Sequence, residues 1–274
     1  MPIIPLMKIS SYHKAKGDKV EWYNSFFKYD KVYVSKIFNF TDDFQYPINA
    51  DQVLKGGTGY NLKNTLPNQI EKCQPDYSIY PNCDYSMQMF SRGCIRNCPF
   101  CVVQDKEGKI KPIKPMKLNP NGEHIEVLDN NFFANPEWEK AVNKLLEWEQ
   151  PVNFHGIDVR ILTEKQANYL NKLNHLKQIH IAWDNPKKDL LPKLKQITNW
   201  IKPYKLMCYV LIGYWSSEEE DLYRVRKLDE IGIDPFVMPY NKSDEYQRNF
   251  ARWVNHKAVF RSCSWDEYRG GDNY

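Results

Sequence analysis

Three of the chain's seven cysteines fall on one short segment, Cys94-Ile95-Arg96-Asn97-Cys98-Pro99-Phe100-Cys101. An odd total argues against a disulfide framework. Cys73, Cys83, Cys208 and Cys263 stand alone and read as small buried thiols. The spacing C-x3-C-x2-C gathers soft donors suited to zinc or to iron in a cluster. A closed structural zinc site takes four ligands, usually as two short-spaced pairs. No second pair is present here, and the next histidine, His124, is far along the chain. A ferredoxin-type cluster also takes four thiolates. Three ligands leave one iron open to a small chelating molecule, which is what separates a catalytic metal site from a structural staple.

Composition narrows the setting for that chemistry. The chain has 274 residues, 42% apolar and 26% charged, which is globular usage rather than disordered or fibrous. No run approaches the roughly 18 uncharged apolar residues of a membrane span. The opening Met1-Pro2-Ile3-Ile4-Pro5-Leu6-Met7-Lys8 lacks the basic and apolar regions of a signal peptide, so a cytoplasmic protein with no membrane association is expected. Thirty-eight Lys and Arg against 34 Asp and Glu give +4, so nucleic acid is allowed and not demanded. The basic run from Lys106 to Lys117 reads first as a solvated loop.

The segments that must position the cysteines alternate in type. Tyr85 to Ser91 is strand-like and ends at the cysteine loop. His124–Leu128, Val152–Ile161, Gln178–Trp183, Leu206–Gly213 and Ile233–Tyr240 follow as strands. Between them Pro136–Trp148, a segment from Thr163, Asp189–Trp200 and a segment from Ser217 carry apolar residues at helical spacing. A last helix centres on Phe250, Trp253 and Val254. Thr163 is placed as an N-cap, Ser217 and Glu220 form a capping-box pattern, and Gly232 is a stop. Leu206–Gly213 is so apolar that it reads as a parallel strand buried on both faces. Six strand–helix units argue for a parallel sheet with right-handed crossovers. Too few to close, they suggest an open, partial barrel. The fold class expected is α/β, with a core at 84–242, a smaller α/β domain at 1–83 and a C-terminal helix and tail at 243–274.

Cys94, Cys98 and Cys101, with an aromatic at Phe100, resemble the signature of radical S-adenosylmethionine enzymes. The resemblance implies a partial (β/α)6 barrel, a [4Fe-4S] cluster on the three cysteines and S-adenosylmethionine on the fourth iron. It further implies reductive cleavage to a 5′-deoxyadenosyl radical that abstracts hydrogen from substrate, and a reducing partner such as flavodoxin or ferredoxin. In that family, cofactor contacts come from strand ends, where ligands of α/β sheets gather. After the second strand, Leu128-Asp129-Asn130-Asn131-Phe132 replaces the family's Gly-Gly-Glu, leaving Asp129 or Asn130 to accept from the methionine amino group. Two charges in the third strand ask for a partner or a ligand. Arg160 is placed on the cofactor carboxylate and Asp158 on the ribose, with an Asp158–Arg160 structural pair as the alternative. Gly213 matches a glycine near the adenosine, and Met238 lies where relatives pack adenine. His155 by itself reads as a core histidine.

The first third differs. Leu6–Lys16 is helical and stops at Gly17, Lys19–Tyr23 and Lys31–Ile37 are strand-like, and Gly56-Gly57-Thr58-Gly59 is a turn. Pro5 to Asp18 resembles the first helix of the Rossmann-like, cobalamin-binding-like domain that precedes many radical cores. Only Met1–Ile4 remains of the strand before it, and the Asp-x-His-x-x-Gly signature is missing around His13, so no cobalamin is expected. No Gly-Lys-Ser/Thr follows Gly59, which argues against a phosphate loop. A methylthiotransferase would need three further cluster cysteines where only Cys73 and Cys83 stand. The competing class is a non-catalytic protein whose thiolates hold zinc and whose basic run contacts nucleic acid. No residue pattern names the substrate.

Overall fold

The computed structural model describes residues 2–270. Met1, part of the strand remnant expected before the first helix, and 271–274, the end of the expected tail, lie outside the described residues. Two compact units divide the chain, one running through Glu123 and the other starting at His124. The first unit reaches beyond the expected boundary at 83/84 and takes in the cysteine loop. Side chains tie the two sides of that boundary together: the Tyr77 hydroxyl accepts from the Met87 amide at 2.9 Å. Asn119 Nδ2 donates to the Cys83 carbonyl at 2.7 Å, and Gln74 accepts from the Lys117 amide at 2.8 Å.

The first unit contains α1 (Ile4–Ala15), β1 (Tyr29–Ser35), β2 (Ala50–Gly56), α2 (Asn68–Glu71), β3 (Tyr85–Gln88), β4 (Ser91–Arg92), α3 (Val103–Glu107) and β5 (Lys111–Pro112). Ile4 already belongs to α1, whose first turn holds Pro5, a residue preorganised for that position. Asp76 anchors the helix, accepting from Ser10 Oγ at 2.7 Å and pairing with Lys14 at 2.7 Å. β1 and β2 are parallel, and β4 and β5 antiparallel. The expected strand at 19–23 is irregular instead. Its aromatic side chains take the bonds: Trp22 donates to the Ile79 carbonyl, and the Tyr23 hydroxyl accepts from the Asn49 amide. The single strand expected over 85–91 is two, because Ser91 and Arg92 pair antiparallel with Pro112 and Lys111.

The second unit alternates strictly: β6 (His124–Val127), α4 (Trp138–Trp148), β7 (Val152–Phe154), α5 (Glu164–Lys172), β8 (Ile179–Ala182), α6 (Leu191–Thr198), β9 (Leu206–Ile212), α7 (Glu218–Glu230), β10 (Asp234–Pro239) and α8 (Glu245–Asn255). Short helices α9 (Lys257–Ser262) and α10 (Trp265–Gly270) close it. β6 pairs with β7, and β8, β9 and β10 form a sheet, every pair parallel. An isolated parallel bridge joins Ile157 to Ile181. The chain is thus mixed α/β with parallel strands in sequence order, and no closed barrel is formed among the described residues. Both capping boxes are present, Thr163 with Gln166 and Ser217 with Glu220. Gly232 ends α7 with φ of +75°, the left-handed region that glycine enters without strain. No described helix is long and apolar enough to cross a membrane.

Two expectations for this unit change. Along β9, Leu206, Cys208, Val210 and Ile212 are buried while Met207, Tyr209 and Leu211 are only half buried. Helices cover one face and not the other, so the apolar run is not buried twice over. The third strand ends at Phe154 rather than Ile161. Asp158 then caps a 3₁₀ turn over Val159–Ile161 by accepting from the Arg160 amide at 3.1 Å. The charges at 158 and 160 therefore lie outside the ladder.

One buried ion pair joins α7 to its neighbours. Arg224 and Asp221 are essentially without solvent exposure. Arg224 also donates to the Trp183 carbonyl at 2.8 Å, and Tyr246 from α8 donates to Asp221 at 2.9 Å. Burial pushes the Asp221 carboxyl up, opposed by Ser216, Arg224 and Tyr246. Arg224→Ala leaves that carboxylate without its cation and should cost about 3–5 kcal/mol in thermal unfolding. Asp221→Ala/Arg224→Ala should cost less than the two single changes summed.

Candidate functional site

The cysteine loop is closed by main-chain geometry. Gly93 has φ of +84°, and a Cβ there would meet the Gly108 and Lys109 carbonyl oxygens at 2.5 Å, so only glycine permits the approach. The Cys94 amide donates to the Gly108 carbonyl at 3.2 Å. Glu107 Oε2 accepts from the Gly93 amide at 2.8 Å while Oε1 pairs with Arg92 at 2.8 Å. Gln104, on α3, donates its side-chain amide to the carbonyls of Cys94 and Arg96. The start of the loop is thus pinned to the end of α3 and the turn after it, with Gln104 holding the carbonyls of Cys94 and Arg96.

Its cysteines stay within reach of solvent. Cys94 and Cys98 are half-buried, Cys101 is exposed, and none of the three is in a disulfide. The Arg96 amide donates to Cys94 Sγ at 3.4 Å, the kind of N–H to sulfur contact that tunes cluster ligands. Cys73 and Cys83 are engaged elsewhere, donating to the carbonyls of Gln69 and Tyr85. The described residues contain no group of three or more His, Cys, Asp or Glu placed to hold a metal ion. Part of the basic run is structural. Lys106 donates to the Asn64 carbonyl, and Lys111 pairs in register with Arg92.

In the second unit, four of the expected cofactor residues gather beyond β6 and β7. Asp129 is buried and Asn130 exposed. Gly156 lies so close to them that a Cβ would fall 2.2 Å from the Asp129 carbonyl oxygen. Asn131 Nδ2 reaches Asp158 Oδ2 at 3.5 Å. Arg160 grips Asp158 through two bonds, at 2.6 and 3.0 Å, so the structural pair forms. Burial pushes up the carboxyl of Asp184, just past β8, opposed by a bond from the Leu211 main chain and by the fields of Arg224 and Arg160, while the field of Asp158 adds to the rise. Sequence reading missed Asp184, although an acid directly after an apolar strand is the available signal. Gly213 and Met238 lie elsewhere, at the ends of β9 and β10. Gly213 has φ of +77°, and its missing Cβ makes room for the buried Gln247 of α8. Met238 is exposed, opposite Leu211.

The strand face away from the helices carries a second polar group that spacing alone did not assemble. Glu126 on β6 stands opposite Asn153 on β7. Its Oε1 meets His124 Nε2 at 3.1 Å, and its Oε2 meets His155 Nε2 and accepts from Asn153 Nδ2 at 2.8 Å. Asn153 Oδ1 is buried without a partner. Beyond them His180 touches Tyr209, ring centres 5.2 Å apart, and Tyr209 meets Phe236 edge-on at 5.6 Å. Burial holds the His180 imidazole below its ordinary value, partly offset by its bond to the Phe154 carbonyl. His155, read alone as a core histidine, is instead 45% exposed at its side chain and oriented by a carboxylate. The legible signal was polar residues at every second position, His124 and Glu126 facing Asn153 and His155.

Comparison with protein-family models, with curated proteins and with solved structures finds no match to this chain.

Burial pushes the Glu126 carboxyl up, but bonds from His155, Asn153 and His124 outweigh it and hold it below its ordinary value. A group depressed in the folded state contributes stability above its unfolded value, lost as pH falls through the folded one. Carbon-13 NMR of the Glu126 carboxyl should therefore show a midpoint below that of a free glutamate. A midpoint above it would mean that burial wins and the histidine contacts do not form in solution.

Proposed function

We propose that this chain is a radical S-adenosylmethionine enzyme in which Cys94, Cys98 and Cys101 hold a [4Fe-4S] cluster. The observation carrying this reading is a pinned loop with three thiols outside any disulfide and an amide directed at one sulfur. That donor set suits a cluster with one iron left for a chelating ligand. Bound there, the cluster would supply one-electron cleavage of S-adenosylmethionine to methionine and a 5′-deoxyadenosyl radical that takes hydrogen from substrate. Electrons would come from a flavodoxin or ferredoxin in the cytoplasm.

The remaining roles fall to strand ends. Asp129 and Asn130 accept from the methionine amino group. Arg160, oriented by Asp158 and partly exposed, offers guanidinium donors to the carboxylate, and Asp158 is assigned to the ribose hydroxyls. Gly213 and Met238 border the adenosine. His155, oriented by Glu126, is the group suited to moving a proton on the substrate. On this reading, the parallel strands in sequence order are the partial (β/α)6 barrel of the family, and the paired β1 and β2 with α1 are its reduced Rossmann-like domain.

Cys98→Ala should abolish both cluster content and cofactor cleavage while far-UV circular dichroism stays unchanged. Iron and acid-labile sulfide are measured on anaerobically purified protein, and 5′-deoxyadenosine after adding S-adenosylmethionine and a reductant. Full 5′-deoxyadenosine formation by the variant would overturn the assignment, as would one zinc and no sulfide in the parent chain.

A further inference from the structure

The strands of the second unit are free of basic residues. β6 to β10 together contain no Lys or Arg, in a chain that carries 38 of them. Two carboxylates stand on these strands. Asp234, at the start of β10, is engaged by Lys257 and Gln178. Glu126 has two imidazoles and an amide as its neighbours and no permanent cation.

The polar atoms left over on the face away from the helices are acceptors. Glu126 Oε2 takes the Nε2 hydrogen of a neutral His155, which leaves Nδ1 as a lone pair on an outward ring. The Phe154 carbonyl takes the Nδ1 hydrogen of His180 at 3.2 Å, which leaves Nε2 as a lone pair. Asn153 Oδ1 is a further acceptor, buried and unpartnered. These side chains are near one another, since the fields of Glu126 and His155 both reach His180. Beside His180, the rings of Tyr209 and Phe236 meet at 88°, an aromatic corner with Phe236 partly exposed. Lys177, whose field also reaches His180, stands in solvent ahead of β8.

An anion on this face would meet a carboxylate and lone pairs. A cation bearing hydrogen-bond donors meets a complement at each of these points. We propose that the face binds an organic ammonium ion, its N–H groups on the free nitrogens of His155 and His180 and its apolar part in the Tyr209–Phe236 corner. Glu126 supplies the opposite charge, and the aromatic ring faces attract a cation as well. That this ion belongs to the substrate rests on the radical reading above; the binding itself does not.

At about pH 8, above the ordinary histidine value, saturation-transfer NMR of the full chain should show binding of 2-phenylethylamine as its ammonium ion. 3-Phenylpropionate and 2-phenylethanol share its phenylethyl group without its charge and should bind ~10-fold or more weakly. The chain's net charge of +4 favours the anion, so non-specific attraction gives the reverse order. Glu126→Gln keeps a side-chain oxygen and drops the charge, and should weaken amine binding ~10-fold. Circular dichroism checks that the variant is folded. In the parent chain labelled with nitrogen-15 histidine, the amine should shift the ring nitrogens of His155 and His180, assigned through His155→Gln and His180→Gln. Amine binding no tighter than that of the anion or the alcohol would overturn the proposal. So would a folded Glu126→Gln variant that binds the amine as well as the parent, or unmoved His155 and His180 signals. A chain that binds the amine yet forms no 5′-deoxyadenosine would remove the enzyme reading and leave this site standing.

Discussion

Parallel strands cannot be joined by tight turns, and most of this protein follows from that constraint. Each strand of the second unit must be followed by a crossover long enough to return the chain to the same end, and helices α4 to α7 are those crossovers. They lie over one face and bury it with Ile125, Val152, Ile179, Cys208, Val210 and Val237. The opposite face gains no such cover, so polar and aromatic side chains persist there: Glu126, Asn153, His180, Tyr209 and Phe236. Returning every connection from the same end also assembles Asp129, Asp158, Arg160 and Asp184 from distant parts of the sequence.

The cysteine loop obeys a different rule. Its sulfurs stay accessible while bonds to neighbouring main chain restrain it. Gly93 admits a carbonyl contact no other residue allows, Gln104 spends its amide on main-chain oxygens, and the Arg92–Glu107 pair locks the exit. The cysteines are left half-buried to exposed. The histidine–carboxylate group is organised in the reverse sense. There a half-buried carboxylate binds two imidazoles and an amide, and one imidazole faces outward.

Local signals were the ones most readable in the residues. The three cysteines, the N-cap at Thr163, the capping box at Ser217, the stop at Gly232 and the alternation of strands and helices after residue 120 depend on neighbours a few positions apart. Segments whose bonding partners lie far away were misread. Lys19–Tyr23 has strand-like composition, yet its Trp22 and Tyr23 bond to Ile79 and Asn49. Val152–Ile161 keeps an apolar residue at every second position past Gly156, but Asp158 caps a 3₁₀ turn, and that competing local bond replaces the strand there.

By itself the sequence determined the three close-set cysteines, their spacing and the α/β class, because residue spacing and hydrophobic period are written in adjacent residues. The tertiary structure alone decided that Asp158 holds Arg160, that Asp184 joins them, and that Glu126 orients His155. It also decided that Gly213 makes room for Gln247 and that β2 keeps an open edge. Each of these is a relation between residues whose separation in space the chain order does not record, set by which strand ends the crossovers return to and which faces the helices cover.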